Sequence, residues 1–581
     1  MRKVLALLLV LALAALTAAT TASAREGSRF HPAVETRLGI VATESPAAAQ
    51  VGRDVLERGG NAADAAAATV FALNAARPQS CGIGGGGFLV YREANGRSDS
   101  IDFRETAPAA FTPDTLVPPG LHKTFTGHLT VGVPGTLAGL DLLLHRYGTR
   151  SLAQSIAPAA QLARRGVPVE QSLSDSMAAN ADRLKLFPAA AAQFLQNGEP
   201  YPAGSILRQP DLARSLELIA RKGTRAFYGG EIAQRIVDDM HTGATQPGDD
   251  HKLELGDFKA YRSKSRRPLV GGYRGRTIVS VPPPSSGGTT LLEMLNILSG
   301  YDLRGLGPSS ADELHFVAEA QKLAWADRNK YVADPDFVDV PTAGLISPRY
   351  GAQRRAEIDP AHAQTYEPGT PPQSSSHHKP GGSPADTNPQ ASTTHVSIID
   401  SRGNAIALTC TIEQEFGSAV VAPGTGFLLN NELTDFGDPG TANEPGPGKR
   451  PRSSMAPTIV VQGRTPVLVV GGAGGARIIM GVVDSVLNVI DFGYDIAHAV
   501  DAERTDDPTG TMTIEDARID ASVLDELTAR GHTLARVGEY DIRPRVQAAG
   551  IDPRTGVRSG VSDPRTDQAT LAQRYRARPG R

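Results

Sequence analysis

At the junction Ser392-Thr393-Thr394-His395 a stretch rich in Pro, Ser, Gly and His gives way abruptly to a run in which Val396, Ile398 and Ile399 are apolar. Where an exposed segment meets a core strand, a chain can be cut without unfolding either side. A cut before Thr393 would leave one residue carrying both a hydroxyl and a free α-amine. That amine has a reference pKa of about 7.7–8.0. It can therefore take the hydroxyl's proton near neutral pH, which makes an N-terminal Thr a self-contained nucleophile and base. Taken alone, Thr393 reads as no more than the first β-branched residue of a strand.

Turn residues at Ser401-Arg402-Gly403-Asn404 and a second apolar run over residues 405–411 predict a hairpin. Pairing Asp400 with Ala405 sets Thr394 opposite Thr411. This brings Thr411 and Glu413 beside Thr393 to within one residue of register. A hydroxyl at 411 could orient the one at 393, or be half of a cross-strand Thr pair. The loop Gly471-Gly472-Ala473-Gly474-Gly475 separates a strand (467–470) from a helix (476–489). Helix N-termini present unpaired N–H groups and a positive dipole end. An oxyanion hole, a phosphate cradle and a close-packed turn all fit that loop. Neither it nor the run from Gly82 to Gly87 carries the Gly-Lys-Ser/Thr ending of a P-loop. Arg104, in Asp102-Phe103-Arg104-Glu105, reads as half of a structural ion pair with Glu105 or Asp102. Glu432 and Asp435 follow a short apolar strand at 426–430, and Ser453-Ser454 follow Arg450-Pro451. His395 stands two residues after Thr393, but nearness in sequence does not make a triad. The one close His pair, His377-His378, falls in the polar stretch, so no metal site and no cofactor are expected.

The elements around these residues alternate strands with apolar helices. Residues 39–76 read as a strand and then a helix, with Asn61 as N-cap of an almost wholly apolar segment at 62–74. A glycine loop leads into a strand at 88–91. Helical patterns fill 136–240, strands 261–281, and helices 289–298 and 311–331. Residues 357–392 are rich in Pro, Ser, Gly and His, have few large apolar side chains and predict an exposed, flexible segment. Strands resume at 393, with more at 457–461 and 467–470. The whole predicts an α/β layered sandwich with buried sheets.

The chain has 581 residues, 40% of them hydrophobic and 21% charged, which suffices for a large core. Its 59 basic and 62 acidic residues leave a net charge of -3, with no global field to attract nucleic acid or an anionic membrane. Arg2 and Lys3, an apolar run over 4–16 and the ending Ala22-Ser23-Ala24 predict an export signal at 1–24, removed or kept as an anchor. No later stretch is long and apolar enough to span a bilayer, so a secreted or periplasmic protein with no stable membrane insertion is expected. Export permits a disulfide between the only two cysteines, Cys81 and Cys410. Both sit in segments read as core, and two buried thiols are the expectation.

Taken in order, several strings resemble the γ-glutamyltranspeptidases, a family of N-terminal-nucleophile hydrolases. They are Gly59-Gly60-Asn61-Ala62-Ala63-Asp64-Ala65, the run from Gly84 to Phe88, Asp102-Phe103-Arg104-Glu105 and Pro282-Pro283-Pro284-Ser285-Ser286-Gly287-Gly288. Thr393-Thr394-His395, Arg450-Pro451-Arg452-Ser453-Ser454-Met455, Gly474-Gly475 and Ser562-Asp563-Pro564-Arg565 follow. The resemblance implies a four-layer αββα sandwich and a precursor cut between Ser392 and Thr393. A large subunit (25–392) and a small one (393–581) would then stay together as one catalytic unit. It assigns Thr393 as nucleophile, Thr411 as its orienting partner, and the Gly474 and Gly475 amides as the oxyanion hole. Arg104, Ser453 and Ser454 would bind the α-carboxylate of a small-molecule γ-glutamyl donor. Glu413, Glu432 and Asp435 would bind its α-ammonium group. Two features depart from the pattern. Glu413 stands where many members have Asn, though some bacterial ones have Glu. Residues 436–449 are fewer than in members with a lid and include no Tyr. The competing expectations are a glutaryl or cephalosporin acylase of the same superfamily and an inactive exported binding protein.

Overall fold

The structure is a computed structural model and describes residues 29–115, 125–243, 252–372 and 391–575. The leader at 1–24 and His377-His378 lie outside the described residues.

Two seven-stranded sheets pack face to face. The first runs, edge to edge, Thr570–Ala572, Ile40–Ala42, Ala391–Ile399, Ala405–Gln414, Gly86–Arg92, Ser98–Asp102 and Lys264–Arg266. The second runs Val34–Thr36, Arg558–Ser562, Arg545–Ile551, Thr465–Ala473, Thr458–Gln462, Arg276–Ser280 and Leu269–Tyr273. Helices Pro46–Glu57 and Ala62–Ala76 cover the outside of the first sheet. Gly287–Leu298 and Ile478–Ile490 cover the second, with Ala311–Tyr331 packed on the former. This is the expected αββα sandwich.

Side-chain alternation explains how the layers form. Val396, Ile398, Ile406, Leu408, Cys410 and Ile412 point to the helix side, while Ile399, Ala405 and Ala407 join the core between the sheets. By the period of two, Thr393, His395, Ser397, Thr409 and Thr411 share that inter-sheet face. Helix Ala62–Ala76 is buried along its whole length, and its many alanines let it lie close on the sheet. Asn61 caps it as expected, and the Asp64 side chain returns the bond to the Asn61 N–H to complete a capping box.

Several expectations need correction. Residues 39–76 hold two helices rather than one, separated at Gly59-Gly60. The hairpin is shifted by one residue: Ile399 pairs with Ala405, and Thr393, not Thr394, pairs with Thr411. Asp400 has left the strand to organise the turn, its Oδ1 accepting from the N–H groups of Arg402 and Asn404 at 2.9 and 3.0 Å. A one-residue slip would have exchanged the faces of the strand, so the observed register is what puts both hydroxyls between the sheets. No strand forms at 426–430; that backbone bonds irregularly, Leu429 N–H to the Val420 carbonyl and Asn430 N–H to that of Gly84. The stretch 357–372 is not loose. The Tyr331 hydroxyl donates to the Gly369 carbonyl at 2.7 Å, and the Gly369 N–H to Asp327 at 2.6 Å. Residues 373–390 lie outside the described residues. Finally, Cys81 and Cys410 are not thiols but a disulfide, with Cα atoms 5.6 Å apart. The sandwich brings together two segments 329 residues apart that composition could not relate.

Candidate active site

Thr393 lies at the end of the first sheet where the inter-sheet face turns from apolar to polar. It lines a small cleft together with Arg104, Thr411, Glu413, Glu432, Asp435, Ser453, Ser454 and Gly475. Nine of the ten residues singled out from the sequence therefore meet in one place. Gly474, the tenth, is not among the lining residues but precedes Gly475 directly. Met455, the last residue of the string that begins at Arg450, adds an apolar wall with Ala476 and Ile478, which no local signal in the sequence marks.

The hydroxyl geometry is specific. Thr411 Oγ1 donates to the Ser392 carbonyl at 2.8 Å and accepts the Glu413 N–H at 2.8 Å. With that proton committed, the Thr393 hydroxyl is left to donate to Thr411, at 3.4 Å. Ser392 is held from the other side, its hydroxyl 2.8 Å from that of Ser80. Glu413 itself adopts φ +76°, rare for a residue with a side chain. Both Gly474 (φ +148°) and Gly475 (φ +64°) lie in the half of conformational space that glycine enters freely. They turn the strand Thr465–Ala473 into the helix that follows.

Opposite lies a buried charge cluster. Arg104 is 1% exposed and its guanidinium fork is divided: Nη1 meets Glu432, and Nη2 meets Asp435 at 2.5 Å. Nε donates to the Pro451 carbonyl at 3.1 Å and Nη2 also to that of Arg452 at 3.0 Å. Burial works against the Arg104 charge, but Glu432 and Asp435 outweigh it and hold the group more firmly protonated than usual. Burial pushes the Glu432 carboxyl up to about 7, against the pull of Arg104. Glu105, directly behind, is pushed well above the carboxylate range by burial and then by Glu432. The ion pair read for Arg104 thus forms chiefly with Glu432 and Asp435; Glu105 stands 3.9 Å away, and Asp102 takes only the Arg104 backbone N–H.

Ser453 and Ser454 sit on a loop tied to Pro284-Ser285-Ser286: the Ser453 N–H donates to the Pro284 carbonyl and the Ser286 N–H to that of Ser453. Arg328, unremarked in the sequence, donates to Ser454 Oγ at 2.7 Å and to Ser286 Oγ at 2.8 Å, fixing the two loops together. It lies inside a regular helix, where nothing local signals a role. His395 takes no part in the cleft. Its ring is buried between Thr409 and Ser397, and burial lowers its pKa to about 3, so it is neutral. A Cβ on Gly471 would fall 2.3 Å from that ring, which explains the glycine there. A separate buried cluster, His315, Glu319 and His532, is already hydrogen-bonded internally and to Asp359, Gln364 and Tyr366, with Lys322 on Glu319. A cation beside Lys322 would meet a like charge.

An αββα sandwich with a hydroxyl residue at the end of a central strand, facing a polar cleft, is the arrangement of the N-terminal-nucleophile hydrolase class. Known proteins narrow this further. A family model described as γ-glutamyltranspeptidase matches residues 48–573. The chain is 42% identical over 492 residues to a glutathione hydrolase proenzyme of Escherichia coli (strain K12), covering 82% of each chain. It is 39% identical to an acylase ACY 1 proenzyme of Pseudomonas sp. (strain V22), covering 87% of this chain and 88% of that one. A cephalosporin acylase from Bacillus halodurans has the same fold, with a TM-score of 0.85, 30% identity and 94% of this chain covered against 98% of its own. The chain belongs to the γ-glutamyltranspeptidase family, autoprocessed γ-glutamyl transferases and hydrolases.

Proposed function

We propose that this chain cuts itself between Ser392 and Thr393 and then transfers γ-glutamyl groups from small molecules such as glutathione through Thr393. The observation that carries this is the Thr411 hydroxyl, which bonds the Ser392 carbonyl while standing opposite the Thr393 hydroxyl. A hydrogen bond to that oxygen polarises the carbonyl that Thr393 must attack. In the first step Thr393 Oγ1 bonds to the Ser392 carbonyl carbon, the C–N bond breaks, and the hydroxyl proton passes to the Thr393 nitrogen. Water then hydrolyses the ester, leaving a Ser392 carboxylate and a free Thr393 amine.

In turnover that amine takes the Oγ1 proton and the oxygen attacks the donor's γ-carbonyl. The Gly474 and Gly475 N–H groups receive the oxyanion. The departing amine leaves with the proton, and the γ-glutamyl ester on Thr393 passes to water or to an amino acid or peptide amine. The donor's α-carboxylate goes to Arg104, Ser453 and Ser454, and its ammonium to Glu432, Asp435 and Glu413. In the unliganded cleft Arg104 and the acids neutralise one another. An amino-acid head group carries both charges on one carbon, so it can insert between them and leave each with a counter-ion.

The leader at 1–24 and the disulfide support export. Among the described residues no helix is long and apolar enough to cross a membrane. The acylase names among the relatives favour a second reading, a side-chain acylase for glutaryl chains without an amino group. The Glu432–Arg104–Asp435 arrangement opposes it, because the acids would then serve no substrate charge. The test is to incubate the purified protein with glutathione, with and without a dipeptide acceptor. Glutamate and cysteinylglycine are expected from glutathione and water, joined by a γ-glutamyl tripeptide when acceptor is added. Release from glutaryl substrates with none from glutathione would overturn the reading.

A further inference from the structure

We infer that the Cys81–Cys410 disulfide is the covalent link between the two subunits of the mature protein. This rests on the proposed cut at Ser392–Thr393. Cys81 precedes that bond in sequence and Cys410 follows it, so cutting leaves the disulfide as the one covalent tie between the halves. The chain has only these two cysteines, so no alternative pairing within it exists. The Cα separation of 5.6 Å is ordinary for a disulfide. Both residues are fully buried.

The location gives the bond a purpose. Cys410 pairs with Gly87 on the strand next to Thr411, on the face turned toward the helices. Cys81 directly follows Ser80, whose hydroxyl contacts Ser392. The bond therefore ties the loop that touches Ser392 to the strand that carries Thr411, on the opposite side from the cleft. Because neither sulfur is accessible in the folded protein, the bond must form while the chain is still folding, before the cut. The oxidant is an exported dithiol–disulfide carrier protein. A cysteine thiolate attacks its disulfide, giving a mixed disulfide and one carrier thiol. The other cysteine then displaces the second carrier sulfur. The two thiol protons and the two electrons end on the carrier's dithiol.

The consequence is that the subunits cannot diffuse apart. Unfolding of a covalently joined pair is unimolecular, whereas a non-covalent pair dissociates more readily on dilution. The experiment uses wild-type protein from an exporting host, alkylated in denaturant and run on denaturing gels with and without reductant. One band near the full length without reductant and two bands with it are expected. Two bands in both lanes would leave the cut standing and overturn the inter-subunit bond. One band in both lanes would overturn the cut, and the inference with it. A second measurement needs no variant: the urea midpoint of the cut protein at two concentrations a hundredfold apart. It should be unchanged when oxidised, and fall on dilution when a phosphine is present throughout the urea series, where unfolding exposes the buried sulfurs to it. A midpoint that falls equally in both forms would overturn the proposal.

Discussion

Asp435 is the most direct test of how the cleft reads its substrate. It shares Arg104 with Glu432, and its side chain is 24% exposed against 1% for Glu432. Asp435→Asn keeps the shape and removes the charge. Breaking one side of a buried ion pair commonly costs about 3–5 kcal/mol. Partial exposure reduces that figure. So does Glu432, whose elevated pKa owes part of its rise to the Asp435 charge and which ionises more readily once that charge is gone. About 2 kcal/mol remains, or roughly thirtyfold in kcat/KM at tenfold per about 1.4 kcal/mol. The assay compares matched γ-glutamyl and glutaryl anilides with wild type and variant, both fully cut. The γ-glutamyl substrate should lose about thirtyfold, while the glutaryl one, with the same chain and no amino group, should change less than about threefold. An unchanged ratio of the two substrates would refute the reasoning and return weight to the acylase reading.

Thr393→Ala should remain a single chain without activity, and Thr393→Ser should keep part of both functions, the lost β-methyl loosening χ1; two subunits from the Ala variant, starting at residue 393, would sink the assignment. Thr411→Val removes the hydroxyl that bonds the Ser392 carbonyl, so the rate of self-cutting, followed on gels, should fall by about 10²–10³; an unchanged rate would exclude polarisation by that group. Because burial holds Glu432 protonated up to about 7 in the unliganded site, its negative charge is present above that pH and lost below it. The Thr393 amine titrates for every donor, so the ratio of kcat/KM for γ-glutamyl to that for glutaryl donors is the readout: it should rise through about pH 7, and less so in kcat because bound ammonium favours the ionised form. Bulky γ-linked glutamyl oligomers should be turned over beside glutathione. Among the described residues none from 436–449 lines the cleft, and that stretch is tied down by Asn443 to the Asp435 carbonyl and the Arg452 N–H; brisk turnover of glutathione with none of the oligomer would count against an open site.

The sequence by itself determined much of the chemistry. The break in composition before Thr393, the glycines at 474–475 and the ordered strings shared with the family identify nine residues that the cleft gathers. Those signals are local, and local backbone requirements are written in local residue types. The helix Ala62–Ala76 was legible for the same reason: its cap, Asn61, immediately precedes its apolar run. Tertiary structure decided the rest. The register that sets Thr393 against Thr411 depends on Asp400 leaving the strand to bond the turn, a choice between two pairings that differ by one residue. The order at 357–372 comes from partners on a distant helix, such as Asp327 and Tyr331. Arg328 reaches Ser454 across 126 residues, and Arg104 divides its fork between acids more than 300 residues away. Cys81 and Cys410 could not be paired from spacing, because a disulfide needs two Cα atoms within a few ångströms, and only the packed sandwich brings residues 329 apart to that distance.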